Sequence, residues 1–240
     1  MNLILDAFAW IFSGDPGRGL APIPIALGEH VWFTVISVLI AALIAVPAGW
    51  AIGHTGKGRD IAVAISGAAR AVPSFGLLIL LVLLLGVLRS AEAAIITFVL
   101  LAIPSILAGA YAGFEAIDRK VIDAARAMGM TPWQVLWRVE VPLGLPLLVA
   151  GLRAATLQVV ATVTIAAYVN LGGLGQYIIA GIPLRRFEIV LGGAILVAAL
   201  ALVLDGLFAL WQRGATPAGI RAATRHHSGP ARSARRAATA

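Results

Sequence analysis

Charged side chains are scarce in this chain. Asp, Glu, Lys and Arg make up 12% of its 240 residues, 60% of the residues are hydrophobic, and the mean hydropathy is +0.97. These values lie far outside the range of soluble domains. Cysteine is absent, which excludes disulfides, thiolate chemistry and cysteine-ligated zinc. The composition therefore predicts an integral membrane protein.

Alternation of apolar and polar residues is also missing. Residues 77–85 read LLILLVLLL, whereas a strand of a membrane β-barrel alternates over about ten residues. A spanning helix needs about 20 apolar residues. The sequence therefore predicts an all-α, polytopic membrane helix bundle with five spans, at about 31–52, 61–88, 93–114, 148–169 and 189–211.

The second predicted span is too long for one straight helix across a bilayer. Pro73 removes a helix hydrogen bond and disfavours the helical conformation at Val72. We therefore expect a break near Pro73, with residues 61–71 forming a partly interfacial approach to the span.

The distribution of Lys and Arg indicates the orientation of the bundle. Most of the eighteen lie on the side of a polar loop, residues 115–142, or in the tail, residues 212–240, and such an excess marks the cytoplasmic side. We expect an external N-terminal segment (1–26), a transmembrane domain (27–211) and a cytoplasmic C-terminus. The basic tail lacks apolar periodicity and is expected to be disordered, touching anionic lipid rather than nucleic acid.

The polar loop contains the signals of two short helices. Asp118 is placed to cap the first, and Gly129 to end it in the left-handed conformation. Thr131–Gln134 then begins the second, with Thr as N-cap, Pro at the first helical position and Gln completing a capping box. We expect this second helix to stop before Pro142.

The faces of these two helices suggest different contacts. The first presents the small residues Ala124 and Ala125 beside the carboxylate of Asp123, a surface that a partner can approach closely. The second presents an apolar stripe to the membrane bundle, made of Trp133, Leu136, Trp137 and Val139. Periodicity and caps leave two interpretations open: a docking element that transmits force, or amphipathic helices lying on the inner leaflet.

The spacing in the polar loop resembles a known signature. Asp123-Ala124-Ala125, then Gly129, then Val139-Glu140-Val141-Pro142 is similar to the EAA loop of permease subunits in binding-protein-dependent ABC importers. Asp replaces Glu of the signature, and Val replaces its Ile and Leu. The triplet Glu92-Ala93-Ala94 also spells E-A-A, but Phe98 stands where the signature requires Gly.

The resemblance covers about residues 27–210. Arg70–Ser74 followed by a leucine run, Gly151–Thr156, and Gly172–Gly175 look like the permeases for osmoprotectants such as glycine betaine, choline and carnitine. Methionine-type importer permeases share much of this pattern. The resemblance implies the type I ABC importer transmembrane-domain fold in the plasma (inner) membrane.

By this resemblance, the first loop helix is a coupling helix that sits in a groove of a cytoplasmic ABC ATPase. The implied coupling residues are Asp123, Ala124, Ala125, Gly129 and Pro142. The implied partners are a pair of ATPase subunits, a second permease copy or a paralogue, an external substrate-binding protein and membrane lipid. ATP binding would draw the ATPases together and turn the permease pair from inward-facing to outward-facing.

A phosphate-cradling loop is lacking. It requires G-x-x-x-x-G-K-[ST], and the only Gly-Lys pair, Gly56-Lys57, is followed by Gly58. We therefore expect a transport subunit rather than an enzyme, with no cofactor of its own and with ATP and Mg²⁺ bound by the ATPase partner. The four histidines do not cluster with carboxylates at ligand spacing, so no metal site is predicted.

Two arginines lie within or beside the predicted spans. Arg70 and Arg153 are expected near the cytoplasmic ends of their spans. There they either extend to the headgroups or make inter-subunit or state-dependent contacts with the second permease or the polar loop.

The outer end of the fourth span contains the candidates for a gate or translocation path. Asn170, Gly172 and Gly173 predict a tight turn, which is either a gate or a simple re-entrant turn. Tyr168 is the best single candidate to bind a quaternary ammonium through its ring face, since the other aromatic residues are scattered. Pro73 is a further candidate for the path.

Two other classes of protein stay open. A secondary transporter needs ionisable residues in its spans; only Arg70, Arg153 and Asp205 are available, and their expected positions toward the inner ends disfavour this class. A membrane anchor or assembly factor with a docking loop would lack solute dependence.

Overall fold

The computed structural model describes residues 2–13, 16–17 and 19–215. Every regular element within them is helical, which confirms the all-α prediction. From position 216 onward, the predicted basic tail lies outside the described residues. The helices are α1 (Leu3–Ser13), α2 (Ile23–Thr55), α3 (Arg59–Ala71), α4 (Ser74–Leu85), α5 (Ser90–Glu115), α6 (Arg119–Ala127), α7 (Pro132–Val135), α8 (Val141–Ala166), α9 (Gly175–Gly181) and α10 (Phe187–Ala215).

Four helical segments are long and apolar enough to cross a membrane: α2, Val87–Glu115, Pro132–Val169 and α10. The pair α3 and α4 passes the same test together, and its two helices meet at 84°. Counted as one broken span, this pair completes the five predicted. The break lies at Val72, whose backbone is extended (φ −73°, ψ 125°), because Pro73 follows it.

The bounds of the helices correct the sequence prediction at both ends of the domain. α2 begins at Ile23, so residues 23–26 belong to a helix rather than to the external N-terminal segment. α10 continues through Ala215, so residues 212–215 are helical rather than part of the tail. At the first end, Ile23 and Ala26 pack in an apolar cluster with Trp10 and Tyr177. At the other end, the side chain of Gln212 donates to the carbonyl of Pro146 at 3.1 Å.

The second helix of the polar loop does not stop before Pro142, contrary to the sequence prediction. α7 passes into a π turn, Leu136–Glu140, and then into α8. The N–H of Val141 donates to the carbonyl of Leu136, five residues back. This wider turn accommodates Pro142, which has no N–H to donate and whose ring would crowd a carbonyl of a regular turn. The polar loop is therefore continuous with the helix of the fourth predicted span, because one helical segment runs through Pro132–Val169.

The central helix is α5, which packs between α2 and α8. Its contacts with α8 are made at glycines. A Cβ at Gly109 would lie 2.7 Å from the carbonyl oxygen of Leu147, and one at Gly113 would lie 2.6 Å from that of Gly144. Small residues let membrane helices approach closely, and the resulting van der Waals contact holds them together because lipid offers no hydrophobic drive for helix association.

The bundle has two ends at which the candidate residues lie. The loop end comprises residues 53–59 and 115–140. The opposite end comprises residues 19–30, 86–90 and 167–187. At the opposite end, Trp10 of α1 stands edge-on to Tyr177 of α9, with ring centroids 5.0 Å apart, in a small second core shared with α2 and α10.

We predict that Gly109→Leu destabilises the bundle by about 1–3 kcal/mol, since the added side chain meets backbone that cannot move aside. Thermal unfolding of the purified protein in detergent measures this as a fall in Tm. The matched control is Gly206→Leu on α10, where nothing lies within 4 Å of an added Cβ. Equal Tm values for the two variants would contradict the close packing of α5 and α8.

Candidate functional site

The first helix of the polar loop is capped at both ends, as predicted. The side chain of Asp118 accepts a hydrogen bond from a first-turn backbone N–H at 2.9 Å. At the other end Gly129 is left-handed (φ 82°). Its N–H donates to the carbonyl of Arg126, and the N–H of Met130 donates to the carbonyl of Ala125, the two bonds of a Schellman motif. α6 therefore ends abruptly, and the chain turns into α7.

The start of α7 also follows the prediction. Thr131 N–H donates to the side chain of Gln134 at 2.9 Å, and Gln134 N–H donates to the hydroxyl of Thr131 at 3.3 Å. This reciprocal capping box satisfies two backbone donors of the first turn. The turn between α6 and α7 is thus held by local hydrogen bonds on both sides.

The three residues of the Asp-Ala-Ala triplet face in different directions. Asp123 and Ala124 are exposed, whereas Ala125 is 3% exposed. Ala125 lies in a small apolar cluster with Ile122 and with Val135 of α7. The expectation that both alanines face a partner is therefore wrong for Ala125, which instead packs the two loop helices against each other. Ala124 and Asp123 form the outward surface.

Pro142 lies at the start of α8, directly after the π turn. It does not face outward with Asp123 and Ala124, and its effect is on the backbone between the polar loop and the span. α7, the π turn and α8 form one unbroken helical path from the polar loop into the bundle.

A second connection joins the polar loop to α2. His54 Nδ1 lies 2.5 Å from Glu140 Oε2, and the Glu140 side chain is only 8% exposed. Next to this pair, the ring of Trp137 stands edge-on to Trp50, with centroids 5.7 Å apart. The sequence reasoning missed this pair, because the two residues are 86 positions apart and no local pattern links them.

The predicted tight turn at the opposite end is present and is pinned to α2. Asn170 (φ 60°), Gly172 (φ 71°) and Gly173 (φ 72°) all have left-handed backbones. The N–H of Gly173 donates to the carboxylate of Glu29 at 2.8 Å. The N–H of the next residue donates to Nδ1 of His30 at 3.3 Å. The turn is therefore fixed to α2 by two hydrogen bonds and is not a free loop.

The ring of His30 is fully buried, and its two nitrogens have different partners. Nδ1 accepts from the N–H of Leu174, so the other nitrogen, Nε2, donates to the carbonyl of Val160 at 3.1 Å. Both bonds together require a neutral imidazole with its hydrogen on Nε2. Glu29 and His30 were not among the predicted site residues, since a lone acid and a lone histidine at a helix start give no local signal.

The helix that follows the turn is anchored by Tyr177, whose hydroxyl donates to the carbonyl of Ala21 at 2.6 Å. Burial raises the pKa of Tyr177 to about 12, and the charge of Glu29 adds to this shift. The phenol therefore keeps its proton, and this donor, at physiological pH.

Arg153 has a partner within the chain. Its guanidinium makes two hydrogen bonds to the carboxylate of Asp205 on α10, at 2.5 and 2.6 Å. Arg153 lies halfway along α8, and Asp205 lies ten residues before the end of α10. Arg153 shares a surface pocket with Gln212 and Arg213 near that end of α10. The bidentate pairing lets the two opposite charges neutralise each other between two apolar helices.

Arg70 contacts the middle part of α5. Its Nη2 donates to the hydroxyl of Ser105 at 3.4 Å, and that hydroxyl donates to Oε1 of Gln158 at 3.4 Å. Ser105 is in the middle part of α5, about 15 Å of helix from Glu115. The guanidinium therefore contacts α5 well away from the loop end, while the Arg70 residue itself is exposed on the surface of the single chain.

The bend at Pro73 brings two aromatic rings together. Phe75, in the first turn of α4, lies beside Tyr168 after α8, with ring centroids 5.2 Å apart and planes at 60°. The side chains are 43% and 59% exposed. The expectation that Tyr168 stands alone among scattered aromatic residues is therefore wrong, because the tertiary fold supplies a neighbour.

Within the part of the chain that the structure describes, no group of three or more His, Asp or Glu side chains is arranged to hold a metal ion. A polar cavity of about 460 Å³ lies at the loop end beside His54 and Glu140 and is lined also by Arg59, Arg119 and Arg126.

Comparisons with known proteins agree with the helical architecture. The model of the family described as "Binding-protein-dependent transport system inner membrane component" matches residues 41–217. The glycine betaine/carnitine/choline transport system permease protein OpuCB of Bacillus subtilis (strain 168) is 31% identical over 194 residues, which cover 81% of this chain and 88% of that protein. The carnitine transport permease protein OpuCB of Listeria monocytogenes is 33% identical over 219 residues, covering 91% and 98%.

A solved structure shares the fold. A chain of the MetNI methionine ABC transporter in an inward-facing conformation matches with a TM-score of 0.69 and 24% identity, covering 81% of this chain and 96% of that one. The type I importer fold expected from the sequence resemblance is thereby confirmed.

We predict that His54→Ala destabilises the protein by about 3 kcal/mol, because it leaves the buried carboxylate of Glu140 without its partner. Adding Glu140→Gln should recover most of this loss. The control is Arg59→Ala, which removes an exposed pair with Glu115 at 3.4 Å and should cost at most about 1 kcal/mol. Thermal unfolding in detergent measures all three; a loss for His54→Ala no larger than for Arg59→Ala would contradict the buried connection.

Proposed function

Because the chain belongs to the family of inner membrane components of binding-protein-dependent transport systems, we propose that it is the permease subunit of an ATP-driven importer for an osmoprotectant. Its solute is a small quaternary amine such as glycine betaine, choline or carnitine. The chain forms the translocation path, and a separate ATPase supplies the energy.

The substrate class rests on the relatives. Those with the names of glycine betaine, carnitine and choline permeases match at 31–33% identity over 80% or more of the chain. The likeness to the methionine transporter, at 24% identity, supports the fold alone.

The coupling role rests on the geometry of the polar loop. Asp123 and Ala124 present a small, charged surface, and the helix is closed by Gly129. The unbroken path from α7 to α8 and the contact of His54 with Glu140 connect this surface to two helices of the bundle. A docked ATPase that shifts between two positions would thereby bias the bundle between two packings.

We propose that the complete importer contains two ATPase subunits, an external binding protein, and either a second copy of this chain or a paralogue. The N-terminus lies outside and the C-terminus in the cytoplasm, since the Lys and Arg residues concentrate at the loop end and in the tail.

The proposed function is tested by purifying the chain with its native partners in nanodiscs and measuring ATP hydrolysis. Glycine betaine, carnitine or choline, delivered by the binding protein, should stimulate hydrolysis, and methionine should not. Stimulation by methionine alone would overturn the substrate class. Uptake in vesicles without any ATPase would overturn the importer assignment.

We predict that Ala124→Trp prevents docking of the ATPase. A clash that costs about 1.4 kcal/mol or more lowers affinity about tenfold, so the ATPase recovered by pull-down and the solute uptake should fall by at least that factor. Tm and membrane insertion should stay unchanged because Ala124 is exposed. The control is Leu88→Trp, fully exposed at the opposite end. Full uptake with Ala124→Trp would contradict the coupling role.

The orientation can be tested in the natural cysteine-free background of the chain. A membrane-impermeant maleimide should label Met128→Cys, at the loop end, only in inside-out vesicles of cells that lack the ATPase. It should label Leu88→Cys, at the opposite end, only in intact spheroplasts. The reverse pattern would show the opposite orientation.

A further inference from the structure

Arg70 is a cation without an acidic partner in the described part of the chain, and it contacts the middle part of α5. Of the five N–H donors of a guanidinium, one reaches Ser105. The others have no partner in the described part of the chain, and no acid there lies within ion-pair distance of Arg70. Arg153, by contrast, is fully engaged by Asp205. The Arg70 guanidinium therefore has free donors for an anion.

The remainder of the chain does not offer that anion. Among the described residues, Asp205 is the only acid in the middle of a candidate span, and Arg153 holds it. A second copy of the chain therefore presents no free carboxylate at this depth. The side chain of Arg70 is exposed on the surface of the single chain, so a solute in the path can reach it.

Ser105 and Gln158 orient the guanidinium. The hydroxyl of Ser105 accepts from Arg70 and donates to Gln158. The three side chains therefore form a chain of hydrogen bonds, or row, that runs from α3 through α5 to α8. Such a row leaves the outer edge of the guanidinium free for the two parallel hydrogen bonds that a carboxylate accepts.

The ring pair of Phe75 and Tyr168 lies toward the opposite end. Gln158 and Tyr168 are ten positions apart on one helical stretch, or about 15 Å. The two rings are exposed, and their centroids are 5.2 Å apart. Their electron-rich faces attract a cation, and they suit a quaternary ammonium because this group has no N–H to donate. The bend at Pro73 thus separates an aromatic site from a deeper cationic site.

We propose that Arg70, held by Ser105 and Gln158, is the specificity-determining residue that binds the carboxylate of the solute. Phe75 and Tyr168 bind the quaternary ammonium of the solute as it moves along the path. The path then favours zwitterions that have both groups, such as glycine betaine and carnitine, over choline, which has a hydroxyl in place of the carboxylate. This inference rests on the proposed function and names the solute chemistry within it.

The test measures uptake of glycine betaine and of choline by the complete transporter in proteoliposomes, each relative to the wild-type rate. Arg70→Gln should lower glycine betaine uptake about tenfold or more, the loss expected for a charge-assisted pair, and change choline uptake less than about twofold. Tyr168→Ala should lower both, and Tyr168→Phe, which keeps the ring face, should lower both less than Tyr168→Ala does. Arg89→Gln, an exposed arginine at the opposite end, should leave both unchanged.

Several outcomes would overturn this inference. Equal losses of both solutes in Arg70→Gln would assign Arg70 to structure or to a contact with the other permease, and unchanged glycine betaine uptake would exclude a role in binding. A wild-type transporter that takes up choline but neither glycine betaine nor carnitine would contradict the carboxylate site and leave the proposed function intact. Uptake of none of these solutes would refute the proposed function itself. If the Arg70→Gln transporter fails to assemble, Arg70→Lys takes its place. It should lose glycine betaine uptake selectively, because Lys cannot make the two parallel hydrogen bonds of a guanidinium to a carboxylate.

Discussion

The close approach of α5 and α8 is the interaction on which the other features depend. At Gly109 and Gly113 the two backbones come so near that a single added carbon would meet a carbonyl oxygen at 2.6–2.7 Å. In lipid, where apolar burial does not favour helix association, such contact is a main source of cohesion. It also places Ser105 beside Gln158 and holds in the bundle the helix that continues into the polar loop.

That continuity explains why the polar loop behaves as part of the bundle. A proline at the junction would ordinarily end a helix, but the π turn at Leu136–Glu140 absorbs it. The buried Glu140, which ends this turn, meets His54 of α2. The same widened turn thus keeps the helix unbroken and directs a carboxylate at a second helix. Both effects make the exposed surface of α6 a rigid extension of the spans.

The charges within the spans follow a single physical constraint. A charge in hydrocarbon is costly, so it is either neutralised by a partner or kept for a functional role. Arg153 and Asp205 neutralise each other through two short hydrogen bonds, so they serve the stability of the α8–α10 contact. Arg70 is exposed, is held by neutral groups and lacks an acid. The difference between the two arginines could not be recognised from composition, because both are single basic residues in apolar surroundings.

The sequence by itself determined the features that depend on a few neighbouring residues: the apolar spans, the break after Val72, the caps at Asp118 and Thr131, and the left-handed Gly129. Each follows from steric and hydrogen-bonding rules that act within one or two turns of chain. Only the tertiary structure decided that Ala125 is buried, that His54 meets Glu140 across 86 positions and that Arg153 meets Asp205 across 52. Such pairs form only after helices pack, and their partners depend on the rotation and depth of each helix in the bundle, which the residues of one helix cannot specify.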